Sequence, residues 1–294
     1  MTIKYQITPT YIAWRVKKLA CNLVPSKKLR QKLKKSMPQK WDVLSFSDEA
    51  MAKYAQILRR YPDVLSPEDT FELACQKLSF SRIGDGEFNN IIGGRNSFNS
   101  ADPALAVRLK EICEAGSTSS CLVCLNNYKL PEGHSAYKWF LHHGTRYLNK
   151  VLDTVKFKPE EYGDAYFLLR LSLSGNRLNQ EGLRKIKGLW QERKVLFVCN
   201  SESPLIHDDL NLFDNVARKE FLYIPNKNAF AAYAQILTDI KKYDTSWLIY
   251  MEAGATASVL AWDLSKDGWQ AFDMGDFYKR LLSSQNGELN PCQR

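Results

Sequence analysis

Residues 78–88 read LSFSRIGDGEF, an apolar run that ends in two acids, Asp85 and Glu87, each preceded by a glycine. Residues 78–83 have the composition of a short core strand. The segment ahead of them, SPEDTFELACQKL, has the marks of a helix start: Ser66 as N-cap, Pro67 at the first helical position and Asp69 where a capping box places its acid. A helix that runs into a strand, and a strand that ends in a glycine-flanked elbow, begin an α/β alternation.

The rest of the chain continues it. SDEAMAKYAQILRRY (47–61) precedes it as a helix; Asp102 and Pro103 open another that ends before Gly116, and CLVCL (121–125) is the next strand. Residues 135–152 read as a helix, AYFLLRLSL (165–173) as extended, QEGLRKIKGLWQ (180–191) as a helix and KVLFVCN (194–200) as a buried strand. FLYI (221–224), SWLIYM (246–251) and WQAFDM (269–274) are strands separated by helices over 229–243 and 256–268. Strands spaced by helices of this length pair in parallel, because each crossover takes a dozen or more residues. The expected fold is α/β: a Rossmann-like, mostly parallel sheet with helices on both faces, plus an N-terminal basic amphipathic helical arm. The expected divisions are the arm (1–40), the Rossmann-type domain (41–282) and a polar C-terminal tail (283–294).

The charge is unevenly placed. The chain has 41 Lys and Arg against 32 Asp and Glu, but residues 1–40 hold 11 of the bases and no acid, leaving 30 against 32 in the remainder. The basicity therefore belongs to the arm. There Ile12, Val16, Leu19 and Leu23 share one helical face with Arg15, Lys17 and Lys18 off it, and the helix stops near Pro25. Two arrangements fit: a helix lying on an anionic bilayer, or one packed on the protein's own body. Nucleic acid is not an expected partner, since no recognition motif or base-stacking ladder accompanies the charge. No apolar stretch is long enough to span a membrane and no signal peptide is recognisable, so the expected location is the cytoplasm, with peripheral attachment to the inner membrane face if the arm takes the first of these arrangements.

Seven cysteines without framework spacing read as reduced thiols, and Cys121 and Cys124 as buried strand residues rather than a metal or redox pair. His142 and His143 fall on different faces of a helix and His207, beside Asp208, in a loop, which is a poor zinc site.

In an open parallel sheet ligands bind beyond the carboxyl ends of the strands, which is where Asp85 and Glu87 fall. Side chains two apart in an extended segment point the same way, so the two carboxylates are expected to converge on one ion. Gly84 and Gly86 allow close approach. Hard oxygen ligands on an open loop suit Mn²⁺ or Mg²⁺ completed by substrate phosphates, a metal–diphosphate site.

Arg82, Ile83, Gly84, Asp85, Gly86, Glu87 and Phe88 match the R-[FI]-G-D-G-E-[FL] context of a D-x-E motif, and the match continues through DPALAVRLKEI, YGDAYFLLR, LFDN, PNKNAF and AGATASVLAWDLSKDGWQAFDMG. Over roughly residues 70–276 the chain thus resembles the GT-D-fold glycosyltransferases. The resemblance implies transfer of a sugar from a nucleotide-sugar donor, expected to be a UDP-sugar, to a surface polysaccharide, glycolipid or glycoprotein. It places a divalent cation on Asp85 and Glu87, against the diphosphate, with Arg82, Gly84 and Gly86 around it.

Further candidates come from the strand ends. Arg170 offers a guanidinium fork to phosphate, or an ion-pair partner to a neighbouring acid. Asn200 and Asn228 offer amides to base or ribose, or form turns. Gly254 and Thr256 open a helix whose N-terminus suits phosphate. Asp276 is a candidate catalytic base or a turn cap, and the alternative for Asp85 and Glu87 is to cap a helix that starts at Phe88. Two segments depart from the family pattern: SESPLIHDDLN lacks the Arg and Gly of the loop ahead of LFDN, and GDFYKRLL replaces a GHxDxEY-like run, with Asp276 at the His. These departures sustain a second reading, a non-catalytic nucleotide-binding or assembly subunit of a polysaccharide-synthesis complex. A metal-dependent phosphohydrolase is the third.

Overall fold

A computed structural model of the chain describes residues 5–38, 40–129, 141, 145–159, 162–175 and 177–285. Its central feature is a parallel sheet of seven strands: β1 (Ser79–Ile83), β2 (Cys121–Leu125), β3 (Gly163–Asp164), β4 (Lys194–Cys199), β5 (Arg218–Tyr223), β6 (Leu248–Met251) and β7 (Gln270–Asp273). Their spatial order is β3-β2-β1-β7-β6-β4-β5. The chain builds outward from β1 on one side, then β4 and β5 on the other, and β6 and β7 fill the gap.

Successive residues of a strand face opposite sides of a sheet, and here both sides are covered. Leu248 and Tyr250 join Phe80, Phe197 and Phe272 in one core with Phe167, Ile186 and Leu281. Ile249 and Met251 join Leu196, Val198 and Ala271 in another with Ile236, Ala257 and Leu260. The strands are accordingly near-continuous apolar runs rather than alternating ones.

The first and last strands of the sheet are neighbours at its centre, and the chain leaves them in opposite directions. After β1 it reaches helix Pro103–Ala115, which packs on helix Ala255–Lys266 in the second core; after β7 it enters helix Phe277–Gln285, which belongs to the first. That divergence is the topological switch where open α/β sheets bind ligands.

Two local expectations are corrected. Residues 165–173 are not extended; helix Phe167–Ser172 occupies most of them and β3 is confined to Gly163–Asp164. Asp164 Oδ1 accepts the Tyr166 N–H at 2.7 Å, which turns the chain at that point. The apolar run is then a helix buried on nearly every side, a pattern that periodicity does not separate from a core strand. At the elbow, the acids lie not on an extended loop but in the first turn of helix Asp85–Ile91.

By internal contacts the chain divides into residues 61–127 with 150–294, which carry the sheet, and residues 1–60 with 128–149. In the second unit, strands Tyr5–Gln6 and Ser45–Phe46 pair antiparallel beside helices Pro9–Asn22, Lys27–Lys35 and Asp48–Arg59. Tyr11, Trp14 and Leu44 form one small core of this unit and Ala50, Tyr54 and Leu141 another, and Trp14 Nε1 donates to Pro38 O at 2.8 Å. The stripe expected from the sequence faces outward: Ile12, Val16, Leu19 and Leu23 are 52, 60, 60 and 83% exposed. No helix among the described residues is long and apolar enough to cross a membrane. The first part of the helix expected over 135–152, including His142 and His143, and tail residues 286–294 lie outside the described residues; residues 283–285 end helix Phe277–Gln285.

Candidate active site

The carboxyl ends of β1 and β7 are stitched together by Asp273. Its Oδ2 accepts the Arg82 N–H at 3.1 Å and lies 2.8 Å from the Ser258 hydroxyl, and its Oδ1 accepts the Gly275 N–H at 3.2 Å. Ser258 Oγ is also 2.8 Å from Arg82 O, so the first turn of helix Ala255–Lys266 is fastened to the strand that carries the elbow. Gly275 has φ +56°, and a Cβ there would stand 2.6 Å from Arg82 Nη1; both conditions require glycine.

Gly84 is the N-cap of helix Asp85–Ile91, and because it has no side chain the cap is made in reverse: its N–H donates to Glu87 Oε2 at 2.9 Å. Residues two apart on a helix diverge by roughly 200°, so the two acids have different environments. This replaces the convergent pair expected from extended geometry. Glu87 curls back over the cap, and burial, reinforced by Asp273 and Asp85 and opposed by the backbone N–H bonds, raises its carboxyl to about 7. Asp85 is exposed, and its carboxylate takes no hydrogen bond or ion pair from a described residue. Among the described residues no group of three or more His, Cys, Asp or Glu side chains is placed to hold a metal. A cation here would find Asp85 as its open carboxylate and would take most of its shell from phosphates and water, as Mg²⁺ commonly does. Hard oxygen donors with one carboxylate unengaged fit such an ion.

Beside the elbow lies an arrangement of two guanidiniums on one ring. Arg82 and Arg280 sit 5.6 and 5.5 Å from the ring centroid of Tyr166. Arg82 is spent on structure, donating from Nε to Ala165 O at 2.6 Å and from Nη1 to Met274 O at 2.7 Å. Arg280 Nε donates to Asp276 Oδ1 at 2.6 Å. Burial pushes the Tyr166 phenol up to about 12, Asp85 and Asp276 adding to the rise and both arginines opposing it. For Asp276 burial alone would raise the carboxyl, but Arg280 overrides it and the net shift is downward. The cavity these side chains line is about 10 Å³, room for one water. A sugar ring does not fit inside it.

One further acid stands at a strand end. Glu252 follows β6; its Oε2 accepts from the Ser203 hydroxyl at 2.7 Å, while its buried Oε1 has no hydrogen-bond partner. Burial raises it to about 7; Asp276 adds to the rise, and the Ser203 bond and Lys279 oppose it.

The remaining sequence candidates are placed as follows. Arg170 Nη1 pairs with the buried Asp164 Oδ2 at 2.8 Å, the ion-pair role rather than a free fork. Asn200 Oδ1 accepts the Glu202 N–H at 2.9 Å, a turn-forming bond. Asn228 adopts φ +53° and its Oδ1 accepts the Ser100 N–H at 2.8 Å, so its amide oxygen is engaged within the fold. Gly86 packs on Asn96, Gly254 caps helix Ala255–Lys266 with φ +54°, and Thr256 is buried in its first turn. The structure thus groups Arg82, Gly84, Asp85, Glu87 and Asp276 at the β1–β7 switch, and Gly254 with Thr256 beside it. Sequence reasoning missed Tyr166, Glu252, Asp273 and Arg280. Glu252 and Asp273 carried a readable signal, each an acid directly at the end of an apolar strand; Arg280 lay one turn beyond Asp276; Tyr166 had none.

The family model for the glycosyltransferase GT-D fold matches residues 80–280. The chain belongs to the GT-D-fold glycosyltransferase family. Members similar to it include a probable glycosyl transferase, Gly, of Streptococcus gordonii, 28% identical over 224 residues, and the glycosyltransferase GlyD of Streptococcus pneumoniae serotype 4 (strain ATCC BAA-334 / TIGR4), 25% identical over 205 residues. These matches cover 74 and 67% of this chain but 32 and 24% of the relatives, so the chain spans a third or less of their length. Among solved structures, a glycosyltransferase from Streptococcus sanguinis superposes with a TM-score of 0.67 at 26% identity, covering 77% of this chain and 85% of the other. A second, described as domain of unknown function 1792 with a distinct glycosyltransferase fold, does so at 0.68 and 25% identity, covering 80 and 86%. The GT-D match begins within β1 and ends within helix Phe277–Gln285, enclosing the whole site described above.

Proposed function

We propose that this chain transfers a sugar from a nucleotide-sugar donor, a UDP-sugar by family likeness, to a surface polysaccharide, glycolipid or glycoprotein. The observation that carries the reading is Asp85: an exposed carboxylate without a partner among the described residues, in the GT-D elbow, at the sheet's switch point. Asp85 is assigned to Mn²⁺ or Mg²⁺, and Glu87 to closing the turn that presents it. A divalent cation held there would supply positive charge opposite the departing nucleoside diphosphate.

The chain's own groups supply the rest. Arg280, partly neutralised by Asp276, lends positive charge to the rim. Gly254 and Thr256 present the N-terminus of a twelve-residue helix to phosphate. Asp276, held low by Arg280, is a weak proton acceptor, and we assign the base instead to Glu252, whose raised carboxyl and unpartnered Oε1 suit removal of a proton from an acceptor hydroxyl. Arg170, Asn200 and Asn228 are assigned to holding the fold.

The exposed apolar stripe and acid-free basic flank of residues 9–35 fit attachment to an anionic membrane surface, where lipid-linked acceptors lie.

The test is release of nucleoside diphosphate from a panel of nucleotide sugars with Mn²⁺ and acceptor extracts. The proposal expects release by the wild type that is lost in Asp85→Ala. Nucleotide binding with no release under any acceptor condition would assign the chain as an assembly subunit, and release of inorganic phosphate would assign it as a hydrolase.

A further inference from the structure

The seven-stranded sheet ends in two unequal edges. At β3 the strand has two residues, and just ahead of it the Leu65 N–H closes on Tyr162 O at 2.7 Å. At the opposite edge β5 is six residues long and pairs along its whole length with β4.

Two bonds show which of its backbone groups lie outside. The Arg218 N–H reaches Arg193 O and the Ile224 N–H reaches Cys199 O, at 3.5 and 3.0 Å, so both residues turn their backbones toward β4. Direction alternates along a strand, so Glu220 and Leu222 do the same. The N–H and C=O groups of Lys219, Phe221 and Tyr223 therefore point away from the sheet, and none is bonded to a described residue. A row of unpaired backbone groups is a template for another strand.

Proteins commonly blunt such an edge with a bulge, a proline or uncompensated charge. β5 contains no proline, and its register with β4 is unbroken. Its two bases are compensated within the fold, Arg218 by Glu220 at 2.6 Å and Lys219 by Asp208 at 3.3 Å. Phe221 stacks on Phe197 of β4 and on Tyr223, which is 54% exposed. The edge is flat, aromatic and neutral.

Such a strand fits a second copy of itself. A two-fold axis at Phe221 sets Lys219 opposite the partner's Tyr223, and Phe221 opposite the partner's Phe221. These are the residues whose backbones face outward, and each opposed pair exchanges two hydrogen bonds in an antiparallel ladder. Ring then meets ring, and each lysine meets a phenol, both favourable cross-strand neighbours. An axis at Glu220 opposes two carboxylates instead, and one at Leu222 sets Lys219 against Pro225, which has no N–H.

We propose that the chain forms a two-fold dimer through β5, its sheet continuing into that of a second copy. The two sheets run in opposite directions, so their carboxyl ends face opposite ways and neither copy completes the other's site. The dimer does not depend on the transferase reading.

The test is sedimentation equilibrium of the full chain, from micromolar to several hundred micromolar. The wild type is expected to follow a monomer–dimer equilibrium. Tyr223→Lys sets like charges against Lys219 twice in each dimer and should weaken association at least about tenfold, whereas Tyr223→Glu should leave it as tight or tighter. Tyr223→Pro removes an outward N–H but no bond to β4, and should also weaken it. Thermal melts verify that the variants fold. A wild type that stays monomeric at the highest concentration overturns the proposal. So does a dimer on which Tyr223→Lys and Tyr223→Glu act alike, or one lost in Val16→Glu with Leu19→Glu, because its interface then lies elsewhere.

Discussion

The Gly84 N–H donates to Glu87 Oε2 at 2.9 Å, so one of the two acids of the D-x-E motif is committed to capping its own helix while the other, Asp85, is not. The two are therefore expected to respond differently to substitution. Asp85→Asn should leave stability within about 0.5 kcal/mol and abolish metal-dependent nucleoside diphosphate release. Glu87→Ala should lose activity and also about 1 kcal/mol of stability, the usual value of a cap. Paired thermal melts and release assays separate the two; equal destabilisation by both variants would contradict the division of labour.

With Glu252 as the base, the activity is expected to depend on pH. As a base it must be ionised, so release should rise with pH through about 7 and the profile should lose that limb in Glu252→Gln. The groups facing it are Ser203, Asp276, Lys279, Tyr278, Tyr250 and Cys199. Stability should run the opposite way. The unfolded chain releases the proton near 4.5 and the folded one near 7, so the advantage is complete below the lower value and is lost as pH rises through the higher. At about 1.4 kcal/mol per pKa unit the loss is on the order of 3 kcal/mol. Glu87 shifts in the same sense. The melting temperature of the metal-free protein should fall between pH 5 and pH 8, and Glu252→Gln should remove part of that fall.

The pattern of legibility in the sequence follows from the range of the interactions. CLVCL, KVLFVC and LIYM were readable as strands because each is a short apolar run bounded by polar turns, and the parallel sheet followed from the helices between them. FLLRLS has the same local composition, but Asp164 turns it and neighbouring helices bury it, so tertiary context made it a helix. The elbow was readable as a site because four of its residues are contiguous. Its support was not: Arg82 and Asp273 meet across 191 residues, and the pairing of Arg82 and Arg280 on Tyr166 joins three separate strand ends and helices. Glycine-flanked acids also carry two local geometries, extended or helix-opening, and only the Gly84–Glu87 bond decides between them.

Gly275→Ala tests the stitching of β1 to β7. The substitution forces a side chain into positive φ and to within 2.6 Å of Arg82 Nη1, whose hydrogen bond to Met274 O must then give way. A loss of about 2 kcal/mol or more is expected in chemical denaturation, with reduced nucleotide release in whatever fraction remains folded. Wild-type stability in this variant would show that Arg82 is free to move, against the network described here.

The outward stripe of helix Pro9–Asn22 gives the last prediction. Tyr11 and Trp14 are buried and hold the helix in its unit, whereas Val16 and Leu19 are each 60% exposed and contribute little to that core. Val16→Glu with Leu19→Glu should therefore leave the melting temperature close to wild type. On an anionic vesicle the same side chains sink among acyl chains, and each basic residue near the surface adds about 1 kcal/mol. The double variant should lose binding to vesicles of mixed phosphatidylglycerol and phosphatidylcholine. High salt should weaken the wild type, since the lysine and arginine share of the attraction is screened. Deleting residues 1–40 is a poorer test, because it also removes Tyr11 and Trp14 from the core they share with Leu44. Vesicle binding that persists in the double glutamate variant would mean the stripe is not the surface that meets lipid.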